Sequence, residues 1–123
     1  MIYLTDDLTF TLSLTGDLFL LQETPTDNKQ AINLLQTKEW RSCVQNPVAT
    51  KILSKLLKRD VPLYRQDIFR INEGDMIVLF RHIVYRKVDK DNSKLHLQLL
   101  YKFHTSKVVI VLSPDTDDVK YFH

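Results

Sequence analysis

Glycine is scarce in this chain of 123 residues, which contains only Gly16 and Gly74. Average usage of about 7% would give roughly nine glycines. Neither glycine lies in a G-x-G-x-x-G or Walker-type motif, so the glycine-rich loops that cradle phosphates are excluded. If the protein binds phosphates, it must use basic side chains, hydroxyl groups or helix N-termini.

Cysteine and long apolar runs are also rare. Cys43 is the only cysteine, which excludes an internal disulfide and a thiolate-rich zinc site. No apolar run reaches the roughly 18–20 residues of a membrane span, and the first residues lack the pattern of a signal peptide. We therefore expect a soluble intracellular protein with no membrane partner. The spacing of the histidines does not match a metal motif, so neither a metal nor a cofactor is predicted.

The formal net charge of +2 conceals two segments of opposite charge. Residues 1–28 contain five acidic residues and no basic residue, which sums to −5. Residues 51–87 contain nine basic and four acidic residues, which sums to +5. A basic segment favours an anionic partner, although solvated lysines on a helix face explain the same pattern.

Alternating strand and helix patterns predict a single α/β domain over residues 1–123, with a mixed sheet of about five strands and about three helices. Residues 5–13 are predicted to form an edge strand or an ordered loop, and residues 114–123 a surface tail. A hairpin is predicted around the turn at Gly74. The predicted strands are 1–4, 17–22, 68–71, 76–86 and 107–112, and the predicted helices are 27–37, 46–57 and 93–103.

The helix that begins at Asn46-Pro47 is the clearest element. Asn is a preferred N-cap and Pro a preferred first helical residue. Unpaired N–H groups and the positive end of the helix dipole make such a start a natural anion site. Gln45 adds an amide donor, and Arg65, Arg81 and Arg86 would supply charge-assisted contacts if the fold brings them near. A simple N-cap and exposed surface cations are the alternative interpretations.

The stretch from Ser42 to Arg86, with a looser match at each flank, resembles the viral anti-CRISPR ring nuclease family, small proteins that degrade cyclic oligoadenylate second messengers. The resemblance rests on the order and spacing of several short segments rather than on one motif. These segments are Ile2-Tyr3-Leu4 followed by Thr9, Cys43-Val44-Gln45-Asn46 before a helix that ends in Leu56-Leu57, Val61-Pro62-Leu63-Tyr64-Arg65, and Glu73-Gly74-Asp75 before the apolar run from Met76 to Phe80.

The resemblance implies a homodimer that encloses its ligand at the subunit interface and needs no metal. The family uses a histidine as a proton donor, but Asn46 occupies that position here, and an amide cannot act as a general acid. We therefore expect a counter-defence protein in the cytoplasm of an infected host cell, which binds a cyclic nucleotide and sequesters it without efficient cleavage. The expected ligand-binding residues are Thr9, Gln45, Asn46, Arg65 and Arg86.

Two alternatives remain open from the sequence. The first is an active ring nuclease whose acid has moved to another residue, for which His82 and Tyr85 are the candidates. The second is an inhibitor that docks on a host defence protein. A nucleic-acid partner is disfavoured because the chain has few clustered aromatic residues for base stacking.

Overall fold

A computed structural model describes residues 1–13, 18–65, 70–91 and 93–112. These residues form one mixed sheet of five strands with three helices, as the sequence predicted. In chain order the elements are β1 (Ile2–Thr5), α1 (Leu8–Ser13), β2 (Leu18–Thr24), α2 (Asn28–Thr37), β3 (Arg41–Ser42), α3 (Pro47–Leu57), β4 (Met76–Val88) and β5 (Leu95–Leu112).

The strands lie in the order β2-β5-β4-β1-β3. β1 pairs in parallel with both β3 and β4, while β5 pairs antiparallel with both β4 and β2. β1 is buried in the sheet and mostly apolar, as expected for a parallel strand that is covered on both faces. The carboxyl ends of β1 and β3 therefore reach the same edge of the sheet.

Each face of the sheet carries its own core. On the face covered by α2 and α3, Leu4, Phe80 and Phe103 pack against the apolar stripes of the two helices. On the face covered by α1, Tyr3 and Ile77 pack with Cys43 and a partly buried Leu8. We call these the α3 face and the α1 face. Both the connection after β1 and the connection after β3 begin at the same edge, but they turn to opposite faces.

Both α2 and α3 begin with a side-chain cap, and the Asn46 cap confirms the sequence prediction. Asp27 accepts a hydrogen bond from the Gln30 N–H, and the Gln30 side chain accepts one from the Asp27 N–H, which is a complete capping box. Asn46 caps α3 by accepting a hydrogen bond from the Val48 N–H at 2.9 Å. No helix in the described part of the chain is long and apolar enough to cross a membrane.

Residues 5–13 form neither the edge strand nor the loop that was predicted, because α1 occupies Leu8–Ser13. Its first turn is capped by Asp7, whose carboxylate accepts a hydrogen bond from the Phe10 N–H. Thr5 and Thr11 are buried and share a hydrogen bond of 2.7 Å between their hydroxyl groups. The dense Thr pattern, which suggested a strand, is instead used for local hydrogen bonds that start a short helix.

The helix predicted over residues 93–103 is wrong, because β5 begins at Leu95 and continues to Leu112. Leu95, Leu99 and Phe103 fit a helical spacing, but they also fit the period of two that a strand requires. Pairing decides between them, since every residue from Leu95 to Lys107 has a partner on β4. Ser93 has a φ of 55° and lies in the loop between the strands, so it does not cap a helix.

The predicted hairpin around Gly74 is also wrong in its first half. Gly74 has a φ of +87°, as a turn glycine requires. However, Arg70 and Ile71 before the turn are not in a strand, and β4 pairs with β1 and β5 instead. The rest of the predicted strand 68–71 and the predicted tail 114–123 lie outside the described residues.

Phe80 lies at the centre of the α3-face core, where it is 1% exposed and contacts the Phe103 ring with centroids 5.1 Å apart. Replacing Phe80 with Ala is expected to lower the free energy of unfolding by roughly 3–5 kcal/mol, as for other buried aromatic residues. Ile83→Ala is the control on the same strand, because Ile83 is 65% exposed. Its cost should stay below about 1 kcal/mol in urea unfolding followed by circular dichroism. Equal losses for the two variants would contradict this position of the core.

Candidate functional site

Three segments that are distant in sequence meet at the carboxyl ends of β1 and β3. The first follows β1 and contains Asp6 and Thr9, the second precedes α3 and contains Gln45 and Asn46, and the third contains Arg65. We call these five residues the edge site. In open α/β sheets, ligands bind in the crevice outside the carboxyl ends of neighbouring strands whose connections turn to opposite faces. β1 and β3 form such a pair.

The contact between the first two segments is made by the Asp6 carboxylate. Its Oδ1 accepts a hydrogen bond from the Gln45 N–H, and its Oδ2 accepts one from the Asn46 N–H, both at 3.0 Å. Each carboxylate oxygen therefore faces a backbone donor just before α3, where the positive end of the helix dipole favours an anion. Asp6 is in this way an anion that the chain itself supplies.

This contact corrects one part of the sequence interpretation. The α3 start was expected to offer unpaired N–H groups to a ligand, but the N–H groups of Gln45 and Asn46 are bonded to Asp6. The Val48 N–H is bonded to the Asn46 side chain, and Pro47 has no N–H. A phosphate that used these donors would have to replace the Asp6 carboxylate. The Gln45 and Asn46 residues themselves are exposed.

The third segment is attached to the other two by a backbone bond and by an aromatic contact. The Tyr64 N–H donates to the Val44 carbonyl at 2.8 Å, which places Arg65 beside the residues before α3. The Tyr64 ring meets the Phe10 ring of α1 edge-on, with centroids 5.6 Å apart and planes at 76°. Arg65 is exposed, and its guanidinium group makes no hydrogen bond or ion pair with the described residues. It is therefore available for an anion.

The remaining predicted residues lie elsewhere, on the outer half of the β4–β5 hairpin. Pairing of β1 with β4 ends at Leu79, and pairing of β2 with β5 ends at Thr105. Beyond these residues only β4 and β5 pair with each other. We call the residues 83–88 and 95–100 the arm. Tyr85 and Arg86 lie on the arm, and His82 lies at its base.

Neither candidate for a relocated acid is in the edge site of a single chain. His82 is partly buried and stacks on Phe80, with ring centroids 5.5 Å apart and planes at 17°. The Tyr85 hydroxyl donates to the Gln98 side chain across the arm. Arg86 is exposed opposite Leu97. The structure thus brings the segments that carry Thr9, Gln45, Asn46 and Arg65 to one edge of the sheet. Within one chain it does not bring His82, Tyr85 or Arg86 to them.

Sequence reasoning missed two residues at or near this region. Asp6 was counted only as part of an acidic segment, although an acid directly after a buried strand is a signal for a contact with the next helix start. The other residue is His104 of β5, which pairs with Glu23 of β2. This contact has no local signal in the sequence, because it depends on which strands become neighbours. No group of metal-ligating residues occurs among the residues that the structure describes.

Cys43 lies on the α1 face beneath the edge site and is fully buried. Burial raises the pKa of its thiol to about 12, although the nearby Arg41 charge opposes this shift. A thiol is nucleophilic only as the thiolate, so Cys43 is a small apolar core residue and not a catalytic nucleophile.

A comparison of the chain with known protein families finds no family that matches, and a comparison with curated proteins finds no relative.

Labelling by a disulfide reagent tests the assignment of Cys43 as a buried core residue. Because the raised pKa keeps the thiol protonated at neutral pH and the side chain is buried, the native protein is expected to react no faster than it unfolds. One thiol per chain should react at once in concentrated guanidinium chloride. Rapid stoichiometric labelling of the native protein would contradict the burial of Cys43.

Proposed function

We propose that the protein binds a cyclic oligonucleotide through its phosphates at the edge site, and that it sequesters this ligand as a viral counter-defence protein. The observation that carries the proposal is the joining of three segments at the start of α3. Asp6 binds the N–H groups of Gln45 and Asn46, and the Tyr64 N–H binds the Val44 carbonyl next to them. Phe10 and Tyr64, which adjoin Thr9 and Arg65 in the chain, have ring centroids 5.6 Å apart, so segments distant in sequence lie at one edge of the sheet.

The chemistry of the edge site suits a phosphodiester. The exposed Arg65 guanidinium would form charge-assisted hydrogen bonds with phosphate oxygens. The Gln45 amide and the Thr9 hydroxyl would donate to the same oxygens or to ribose hydroxyls. The backbone donors at the α3 start bind an anion in this structure, the Asp6 carboxylate, so a phosphate that displaced this carboxylate would find the same two N–H groups.

The same residues favour retention of the ligand over cleavage. Scission by a ribose 2′-hydroxyl requires a proton donor for the leaving oxygen, and general acid catalysis contributes roughly 10²–10⁴-fold to such a rate. Asn46 offers only an amide there, and the ionised Asp6 carboxylate only accepts hydrogen bonds. The edge site therefore has groups that hold a phosphate and lacks a group that protonates the leaving oxygen.

A homodimer is part of the proposal, and the arm supplies the surface for it. Of the six arm residues on the α3 side, only Arg86 is charged, and the other five are apolar and between 37% and 69% exposed. The five apolar residues are Val84, Val88, Leu95, Leu97 and Leu99. An apolar surface of this kind on a two-stranded ribbon, which is marginally stable alone, favours burial against a partner.

Arg86 connects the dimer with the ligand. If a second copy covers the α3 side of the arm, the Arg86 guanidinium is removed from water, and an unpaired buried charge is strongly destabilising. A ligand phosphate enclosed between the subunits would neutralise it. In this arrangement the edge site and Arg86 would contact one ligand, although they are separate within a single chain.

Calorimetric titration with cyclic di-, tri- and tetranucleotides tests the function. At least one ring is expected to bind more tightly than about 10 μM. Arg65→Ala should weaken that binding about ten- to hundred-fold, since charge-assisted hydrogen bonds contribute roughly 1.5–3 kcal/mol. Lys55→Ala is the control, because Lys55 is an exposed cation in the last turn of α3.

Asp6→Asn should tighten binding of the cyclic nucleotide about two- to fivefold in the same titration, because it removes the charge that competes with the phosphate. Asp27→Asn at the α2 cap is the control and should leave the affinity unchanged.

Chromatography of the recovered ligand separates the proposal from its enzymatic alternative. An intact ring after incubation is the expected result. A linear product would show an active ring nuclease and would contradict sequestration. The absence of binding by every ring in the panel would contradict the function as a whole.

Gel filtration with light scattering tests the dimer. The wild-type protein is expected at twice its chain mass of 14.5 kDa. Leu97→Lys should give a monomer because it places a charge in the apolar face of the arm, where Leu97 is 69% exposed. Leu100→Lys is the matched control, because Leu100 is 58% exposed on the opposite side of the arm. A monomeric wild type, or monomers from both variants, would contradict dimerisation through this face.

A further inference from the structure

Three ionisable side chains form a diagonal across neighbouring strands on the α1 face of the sheet. Glu23 of β2 lies opposite Ser106 of β5, and His104 lies two residues before Ser106 on the same side of β5. His104 lies opposite Leu79 of β4, and Arg81 follows two residues later on the same side. Diagonal neighbours in a sheet are about 7–8 Å apart, within reach of long side chains. The order along the diagonal is therefore acid, imidazole, guanidinium.

Glu23 fixes the orientation of the His104 ring. The His104 Nδ1 atom lies 3.2 Å from the Glu23 Oε1 atom. With protons on both ring nitrogens, His104 donates from Nδ1 to the Glu23 carboxylate and offers its Nε2–H to a further acceptor. His104 is 37% exposed, so a ligand can reach this ring.

The other end of the diagonal has an excess of positive charge. Arg81 lies directly opposite Lys102 in the ladder, and both side chains are exposed. Like charges in directly opposite positions destabilise a sheet. Neither cation forms an ion pair with the described residues. Among those residues, the ion pairs join Glu23 to His104 and Met1 to Asp75. An anion placed between Arg81 and His104 would relieve this repulsion.

A cavity of about 290 Å³ opens beside the three side chains. Its apolar floor and wall are formed by Leu8, Ile77 and Leu79, while Glu23, Arg81 and His104 lie at its polar side. Its volume is near the lower end of the roughly 300–1,000 Å³ of small-molecule sites. A ligand that fits both parts has an anionic group for the cations and a flat apolar body for the floor.

We propose that this cavity is a second binding site, which takes an aromatic phosphate monoester. The phosphate would lie between the Arg81 guanidinium and His104 Nε2, with Lys102 at the rim, and the ring would lie on Leu8, Ile77 and Leu79. The site uses none of the edge-site residues, and all its groups come from one chain. It is therefore independent of the cyclic nucleotide and of the dimer.

Titration of the ¹⁵N-labelled protein with phenyl phosphate, followed by amide chemical shifts, tests this site. Saturable shifts are expected around Arg81 and His104, with a Kd below about 1 mM. Inorganic phosphate, which lacks the ring, and phenol, which lacks the charge, should each bind at least about tenfold more weakly. Shifts without saturation, or equal affinity for phosphate and phenyl phosphate, would overturn the proposal.

Variants separate this site from the edge site and from general surface charge. Arg81→Gln and His104→Gln should each weaken phenyl phosphate binding at least about fivefold. Lys87→Gln is the matched control, because Lys87 is an exposed cation on the same side of β4 and further along it. Arg65→Ala should leave the titration unchanged even if it abolishes cyclic nucleotide binding. Equal losses from Arg81→Gln and Lys87→Gln, or a loss from Arg65→Ala, would overturn the proposal.

Discussion

The fold depends on β1, a strand of only four residues that is paired in parallel on both sides. Leu4 points into the α3-face core and Tyr3 into the α1-face core, so this one strand joins the two apolar layers. Its position determines where the connections after β1 and β3 begin, and these connections carry the edge site. The function we propose is therefore a consequence of how this strand is buried.

Asp6 shows how closely stability and binding are connected at that edge. Its carboxylate holds the N–H groups of Gln45 and Asn46, which attaches the chain after β1 to the start of α3. Asp6 belongs to the acidic segment 1–28. Its carboxylate satisfies two backbone N–H groups at the start of α3 that would otherwise attract an external anion. In the function we propose, a ligand phosphate competes with the Asp6 carboxylate for these donors, so its affinity would reflect the difference between the two anions.

The sequence predicts those elements whose signals are local. The capping box at Asp27 and the Asn46-Pro47 start determine the first turns of α2 and α3 through contacts between near neighbours, and both are observed. Residues 95–103 have a leucine pattern that fits both a helix and a strand, and only the pairing with β4 selects the strand. Of the candidate site, the residue types at the α3 start and Arg65 were predictable. The Asp6 contact and the diagonal to Arg81 were not, because they depend on which strands become neighbours.

The arm exists because β4 and β5 are much longer than the strands that flank them. β4 has 13 residues and β5 has 18, whereas β1 pairs with only four residues of β4. In the arm, the ribbon has no strand partner on either edge and carries exposed apolar side chains, features that natural sheets normally cover. In the dimer we propose, one partner subunit would supply both Arg86 for the edge site and a cover for the arm. The cavity at Arg81 needs no such partner, since three adjacent strands and α1 of the same chain complete it. If both proposals hold, assembly of the protein should control binding at the edge site and leave binding at the cavity unaffected.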